Sequence, residues 1–305
     1  MLFFIVNPSS SSRKGMQIWE ETEALLLERD AEYECILLHA PGDARHAAGK
    51  LCALKKAVTA VIVGGDGTIN EFLQGLTSFD HITFAFIPTG SGNDFARGLH
   101  LPSDPRDAVD MILDGSHVRN INIGLVTTDE GERSFAVSSG IGFDAAVCYE
   151  SRQSQTKQLL NHMKQGKMIY TVNALRLILG MKQQSARLLL DGKKLISFDK
   201  VWFIAAMNTR YEGGGYMFAP KASPVDDKLD VFVAEGIPRW KIPFLLPLAY
   251  RGKHTGFKGV HIYRCSKAMV QYQEKACIHA DGEHAGFSRK VTFSLRAKRL
   301  RTIVD

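Results

Sequence analysis

Three glycines and an aspartate interrupt the chain at Val63-Gly64-Gly65-Asp66-Gly67-Thr68-Ile69-Asn70-Glu71. The run before them, Thr59-Ala60-Val61-Ile62-Val63, is apolar and β-branched, which reads as a strand buried on both faces. After them Ile69, Phe72, Leu73 and Leu76 recur at helical spacing. A buried strand that turns through glycines into a helix is an α/β unit. Glycine permits positive φ and close backbone approach to a ligand, and a helix N-terminus suits phosphate. Gly64, Gly65, Gly67, Thr68, Ile69 and Asn70 are thereby candidates for binding nucleotide phosphates. Asp66 has a different task, because a carboxylate beside phosphates needs a cation or a transferable proton between them. It points to Mg²⁺ or to acid/base chemistry. Read alone, such a turn also fits any α/β protein.

The flanking segments repeat the pattern. Leu2–Val6 reads as a first strand, followed by a polar loop, Asn7–Gly15, and a helix marked by Met16, Trp19, Glu23, Leu26 and Leu27. Tyr33–Leu38 is a second strand, and Asp43 is the expected N-cap of a helix bearing Ala44, Ala47, Ala48, Leu51 and Leu54. Thr83–Ile87 is a further strand that enters a second glycine-rich turn, Pro88–Asn93, and a short helix, Asp94–Leu99. Alternating strands and helices predict a doubly wound parallel sheet, with ligands at the carboxyl ends of its strands. That rule sets Gly64–Asn70 and the group Ser91, Asn93 and Asp94 on opposite sides of one nucleotide. Asp94 and Arg97 have a local ion pair as their alternative.

Pro105 starts a helix that ends at Gly115, and the pattern then changes. Val118–Val126, Ser134–Ser138, Ala186–Leu190, Leu195–Phe198, Val201–Met207, Leu229–Ala234, Val260–Tyr263, Ala268–Tyr272, Ala276–Ala280 and Val291–Leu295 read as strands, many of them alternating. The expected fold is α/β plus β. An N-terminal doubly wound α/β nucleotide-binding domain over residues 1–120 precedes a C-terminal antiparallel β-sandwich domain over 121–305, whose last strand is free to return to the first. Two helices interrupt the second domain, over 157–179 and 239–250. Ile242–Tyr250 is apolar and far too short to span a bilayer, so it reads as a buried helix, with an acyl-chain contact as the alternative.

Charge is uneven along the chain. Residues 1–124 carry a net charge of −6 and the remainder +12, with ten Lys/Arg against two Asp in residues 151–200. Such a segment is either a solvated surface or a patch for an anionic membrane face. No recognition helix, zinc finger or RNP-type signature points to nucleic acid. Five scattered cysteines with no Cys-x-x-Cys pair argue against a disulfide framework and fit a reducing cytosol. No leader and no uncharged run of about 20 residues is visible. The expected location is cytoplasmic, peripheral at the inner membrane face. The oligomeric state is open, and a homodimer is admitted.

Gly-Gly-Asp-Gly-Thr followed by Pro88-Thr89-Gly90-Ser91-Gly92-Asn93-Asp94-Phe95-Ala96-Arg97 resembles the catalytic domain of diacylglycerol kinases, sphingosine kinases and bacterial lipid kinases. The resemblance continues through Gly140-Ile141-Gly142-Phe143-Asp144, Gly213-Gly214-Gly215 and Asp281-Gly282-Glu283. It implies an ATP- and Mg²⁺-dependent lipid kinase. Transfer of the γ-phosphoryl to diacylglycerol would give phosphatidic acid, in a cleft between domains. It assigns Asn7 and Ser9 to the nucleotide, with serine standing where the family often has glycine. It makes Glu283 the proposed base, or Asp66 as proposed for some sphingosine kinases. It gives a second, non-catalytic Mg²⁺ to Asp226 and the carbonyls of Ser223 and Lys228, with Asp227 where glycine is usual. Two other readings stand beside it: a soluble-substrate kinase of the NAD kinase type, and a catalytically silent lipid- or nucleotide-binding regulator. The acceptor lipid itself is not legible.

Overall fold

The computed structural model describes residues 1–153 and 176–305. Most of the helix expected over 157–179, and part of the basic segment 151–200, lie outside the described residues; residues 176–180 are helical. The chain separates into two compact units, Met1–Ile123 with Ala297–Asp305, and Gly124–Arg296.

In the first unit, β1 (Leu2–Val6), β2 (Tyr33–Leu37), β3 (Val58–Gly64) and β4 (Ile82–Pro88) lie parallel in the order β2-β1-β3-β4. Between or after them come α1 (Ser10–Glu28), α2 (Asp43–Ala53), α3 (Asp66–Gly75), α4 (Asp94–Leu99) and α5 (Pro105–Asp114). Alternation along the strands sends side chains to both faces. Phe4, Val6, Val61, Val63, Ala85 and Ile87 pack with Ile18, Trp19 and Leu26 of α1 and with Ala108 and Ile112 of α5. Phe84 and Phe86 meet Phe72 of α3 and Phe95 of α4, with ring centroids 5.7–6.2 Å apart.

Two local expectations change. The loop expected over Asn7–Gly15 is shorter, because α1 already starts at Ser10. Asp43 does not cap α2: Gly42 occupies that position at φ 102°, and the Asp43 carboxylate turns back to accept the N–H groups of His39 and Ala40. The first turn of α2 is capped from outside by Glu71 Oε1, which accepts from Gly42 and Ala44 at 2.7 and 2.9 Å.

The strand expected over 118–126 divides. Its first part is β5 (Val118–Ile121) of the first sheet; its second part is β6 (Gly124–Thr128) of the other. The second unit continues with β7 (Gly131–Phe135), β8 (Ser138–Gly142), α6 (Phe143–Gln153), β9 (Gln184–Leu190), β10 (Lys194–Met207), β11 (Leu229–Glu235), α7 (Ile242–Tyr250), β12 (Val260–Cys265), β13 (Lys267–Ala280) and β14 (Glu283–Leu295). All pairings are antiparallel, along β12-β11-β10-β8-β13-β14-β6-β7. Both β8 and β9 pair with β10 and with β13, so these four strands close on one another. Phe135, Ile141, Leu188, Ile204, Val270, Ile278 and Phe293 fill the enclosed core. The α/β plus antiparallel β reading therefore holds.

Within that sheet, the paired short strands expected at 195–198 and 201–207, and at 268–272 and 276–280, are each one long strand whose register shifts midway. The strand expected at 134–138 is broken between β7 and β8. Helix α7 is only half as expected: Ala249 is buried and Ile242 and Leu245 pack on the unit, but Phe244 faces outward at 70% exposure. The last strand, β15 (Leu300–Ile303), returns to the first sheet, parallel to β4 and antiparallel to β5.

Candidate active site

The two glycine turns of the first unit leave the carboxyl ends of β3 and β4, which are neighbours in register Gly64↔Pro88. Thr89 N–H donates to Gly64 O at 2.7 Å. The turns touch at glycines: a Cβ built on Gly90 would sit 2.9 Å from Gly65 Cα and 2.6 Å from Asn93 Oδ1. A side chain there would force the turns apart. Asp66 fastens the same pair. One of its oxygens accepts Asp94 N–H at 3.0 Å and the other Phe95 N–H at 3.1 Å, capping α4 from the first turn of α3. From β1, Asn7 Nδ2 donates to Thr68 Oγ1 at 3.0 Å, and Asn7 Oδ1 accepts Ser9 N–H. Ser9 itself makes no side-chain cap to α1.

The candidates fall into three groups by access. Ser9, Gly67 and Ser91 are exposed; Asn7, Gly65, Asp66 and Asn93 are half-buried; Gly64, Thr68, Ile69, Asn70 and Asp94 are buried. Thr68 and Ile69 N–H both donate to Gly65 O, and the Ile69 side chain belongs to the core. They brace the turn. At the start of α3 the N–H groups of Asp66 and Gly67 are the ones with no intrahelical acceptor. The Asp94 carboxylate pairs with Arg97 at 2.6 Å. That is the local ion pair the sequence allowed.

A nucleotide fits this turn on one independent observation. Asn93 Oδ1 is buried without a hydrogen-bond partner among the described residues, while its Nδ2 is committed to Gly90 O at 2.9 Å. Asp66 retains capacity as well. Its carboxylate has about four acceptor positions, of which the N–H groups of Asp94, Phe95 and Asn93 use a part. Burial pushes the Asp66 carboxyl up, against the N–H groups of Phe95 and Asp94 and the charge of Arg97.

In the second unit, Ala280 and Glu283 are paired across a two-residue hairpin turn. Asp281 and Gly282 both have positive φ, 53° and 78°, the twist that a tight antiparallel hairpin demands. The Asp281 carboxylate accepts three backbone N–H groups, from Ala136, Val137 and Ser138, at 2.8–3.1 Å. That triple capture draws residues 136 and 137 out of the ladder and separates β7 from β8. Asp281 is thus a structural residue. Glu283, half-buried at the start of β14, is the carboxylate of the motif that is not spent on those N–H groups.

Two residues that sequence reasoning missed stand behind this turn. His279 is buried on β13, with Nε2 3.1 Å from Asp144 Oδ2 and 3.4 Å from Glu212 Oε1. Gly282 N lies 3.1 Å from its Nδ1, and Nε2 faces the carboxylates. Three ligand-type atoms gather here, one each from Asp144, Glu212 and His279. The cluster is a hydrogen-bonded one. Burial opposes charge on this ring; Glu212, Asp144 and Asp281 outweigh it and raise its pKa to about 9. Glu212 is positioned by Gly213-Gly214-Gly215, a loop closed by paired Glu212 and Tyr216 backbones.

The second Mg²⁺ does not fit. Asp226 Oδ2 accepts Arg264 Nη2 at 2.5 Å and its Oδ1 accepts Lys228 N–H at 3.0 Å. A guanidinium occupies the carboxylate that an ion would need, and Ser223, Asp226 and Lys228 form a loop held by that pair. Asp227, where the resemblance has glycine, adopts φ 58° and keeps the glycine-like turn.

The chain thus joins an α/β unit, with glycine turns at the carboxyl ends of two strands, to an antiparallel β unit. Residues 1–126 match the diacylglycerol kinase catalytic domain, and residues 137–303 match the YegS C-terminal NAD kinase beta sandwich-like domain. The chain is 31% identical over 286 residues to the diacylglycerol kinase of Mycobacterium tuberculosis (strain ATCC 25618 / H37Rv), covering 92% of this chain and 88% of that protein. A diacylglycerol kinase structure from Bacillus anthracis str. Sterne superposes with TM-score 0.72 at 18% identity, covering 100% of this chain and 96% of that one. An NAD kinase from Archaeoglobus fulgidus in complex with ATP gives 0.54 at 16% identity, over 99% and 93%. At those identities the two structures speak for fold alone. The chain belongs to the diacylglycerol kinase catalytic-domain family of lipid kinases.

Proposed function

We propose that this protein transfers the γ-phosphoryl of ATP to the free hydroxyl of diacylglycerol, giving phosphatidic acid, at the inner face of the membrane. The observation that carries the reading is the locked pair of glycine turns with an unpartnered Asn93 Oδ1 at their junction. The N–H groups of Asp66 and Gly67 would meet phosphate, with Ser9 and Ser91 at the rim. Asn93 Oδ1 would accept a donor from the nucleotide. Asp66 would hold the catalytic Mg²⁺ with its remaining lone pairs. ATP and Mg²⁺ supply the phosphoryl group and neutralise its charge. Glu283 takes the proton from the acceptor hydroxyl, and His279 orients its turn through Gly282. The Asp226 loop has no part in the chemistry.

Two features weigh against the NAD kinase type of reading, which the shared fold favours: the Gly-Ser-Gly-Asn-Asp run and the net positive charge of residues 125–305. The test is phosphate transfer from radiolabelled ATP to a panel of hydroxyl lipids in mixed micelles, with NAD alongside. Diacylglycerol is expected to be the preferred acceptor. Labelled NADP with no labelled lipid would replace this reading by the soluble one.

A further inference from the structure

Helix α7 is apolar on every side, with Ile-Pro-Phe-Leu-Leu-Pro-Leu-Ala-Tyr as its whole sequence. Helices of that kind are normally enclosed by protein or by lipid. This one is enclosed on one side only. Ile242 and Leu245 face the cluster of Trp202, Phe203, Phe232 and Ile237; Ala249 is buried and its O accepts Met217 N–H at 3.0 Å. Trp202 Nε1 donates to Ile237 O at 2.8 Å, pinning the approach to the helix. From that fixed base Trp240, Phe244, Tyr250 and Phe257 project at 66, 70, 52 and 45% exposure. Around them stand Arg239, Lys241, Arg251, Lys253 and Lys258, all exposed. Residues 236–260 contain no Asp or Glu. Lys241 Nζ lies 5.2 Å above the Trp240 ring.

We propose that the surface of residues 239–258 docks the protein on an anionic lipid bilayer, with Trp240 and Phe244 entering the headgroup region and the five cations on lipid phosphates. The proposal rests on the lipid kinase reading for its purpose, not for its geometry. Aromatic side chains within a basic collar are the composition of an interfacial helix. Nine residues of helix extend about 14 Å, less than half of a bilayer core, so α7 lies on the membrane and does not cross it. A second copy of the chain is the poorer occupant, because its matching face would set five cations against five. A protein partner would have to be both apolar and acidic, which the lipid surface already is.

Of the three tryptophans, Trp19 and Trp202 are buried at 3% each, which makes Trp240 a built-in reporter. The full chain is mixed with vesicles of equal parts phosphatidylcholine and phosphatidylglycerol, and with vesicles of phosphatidylcholine alone. Trp240 emission is expected to move to shorter wavelength with the anionic vesicles. Trp240→Phe should abolish the shift while the protein still sediments with the vesicles. Joint Trp240→Ser and Phe244→Ser should weaken partition by at least about tenfold. Joint Arg251→Gln, Lys253→Gln and Lys258→Gln should weaken it about a hundredfold, at roughly fivefold per charge, and reduce its salt dependence. Both sets lie on the exposed surface and should melt as the parent does. Both should phosphorylate a short-chain, monomeric diacylglycerol at the parental rate. An unshifted Trp240, with sedimentation intact in the variants, would overturn the proposal by placing the contact elsewhere. A dimer that the serine variant dissociates would replace the bilayer with a second copy. If the parent phosphorylates no lipid but the Trp240 shift stands, the docking surface survives and the kinase reading falls.

Discussion

Asp66 and Asp281 are the first acids of the two motifs, and both carboxylates are bound to backbone N–H groups. Asp66 accepts two, from the start of α4. Asp281 accepts three, from the β7–β8 connection. The first therefore keeps lone pairs for a cation while it holds two turns together. The second has given most of its capacity to the fold.

The sharpest break of that comparison is kinetic. Glu283→Gln should lower kcat by about 10²–10⁴-fold with ATP affinity retained, because only the proton acceptor is lost. Near-normal turnover in that variant, beside an Asp66→Asn enzyme that binds Mg²⁺–ATP yet is dead, would move the base to Asp66. Asp281→Ala should act on stability instead. Three N–H groups lose a charged acceptor, so a loss of about 3–5 kcal/mol in urea unfolding is expected. An unchanged midpoint would remove the structural role.

Asp66→Asn should show both effects in smaller measure. Its one remaining carbonyl oxygen can serve only one of the two N–H groups, at a cost of about 1–2 kcal/mol, and calorimetry should find weaker Mg²⁺–ATP binding. His279 gives a pH signature. Its folded pKa is raised to about 9, so its stabilising charge is fully present below the unfolded value near 6.5. That contribution should be lost as pH rises from there through about 9. Melting temperatures across this range should decline in the parent and lose that slope in His279→Gln. The smallest effect belongs to the Asp226 loop. Arg264→Gln should change stability by no more than about 1 kcal/mol, because Arg264 is half exposed at 52%. Without nucleotide, Mg²⁺ should not raise the parent's melting temperature; a clear rise that Asp226→Ala removes would restore the ion to that loop.

The first site was legible because its parts are short and local. Strand, glycine turn and helix follow one another within a dozen residues, and periodicity marks each. The cluster behind Glu283 was not, since Asp144, Glu212 and His279 come from three distant segments and meet through the pairing of β8 with both β10 and β13. Nothing in a single histidine or in the acid before three glycines announces that meeting. The long strands β10 and β13 read as halves because a register shift breaks the alternation of apolar residues. Helix α7 read as buried for a related reason. Apolar content states that a surface avoids water, but not whether protein or lipid covers it.

The return of β15 to the first sheet has a consequence for the order of synthesis. On a ribosome the edge of β4 emerges early, and the strand that covers it is Leu300–Ile303, made after the whole second unit. Until then β4 presents open N–H and C=O groups to any passing strand. The second unit, continuous from Gly124 to Arg296, can complete its own pairing first. The nucleotide-binding half, begun first, is then finished last, and translation of residues 124–296 is the interval in which its edge is open to misassembly.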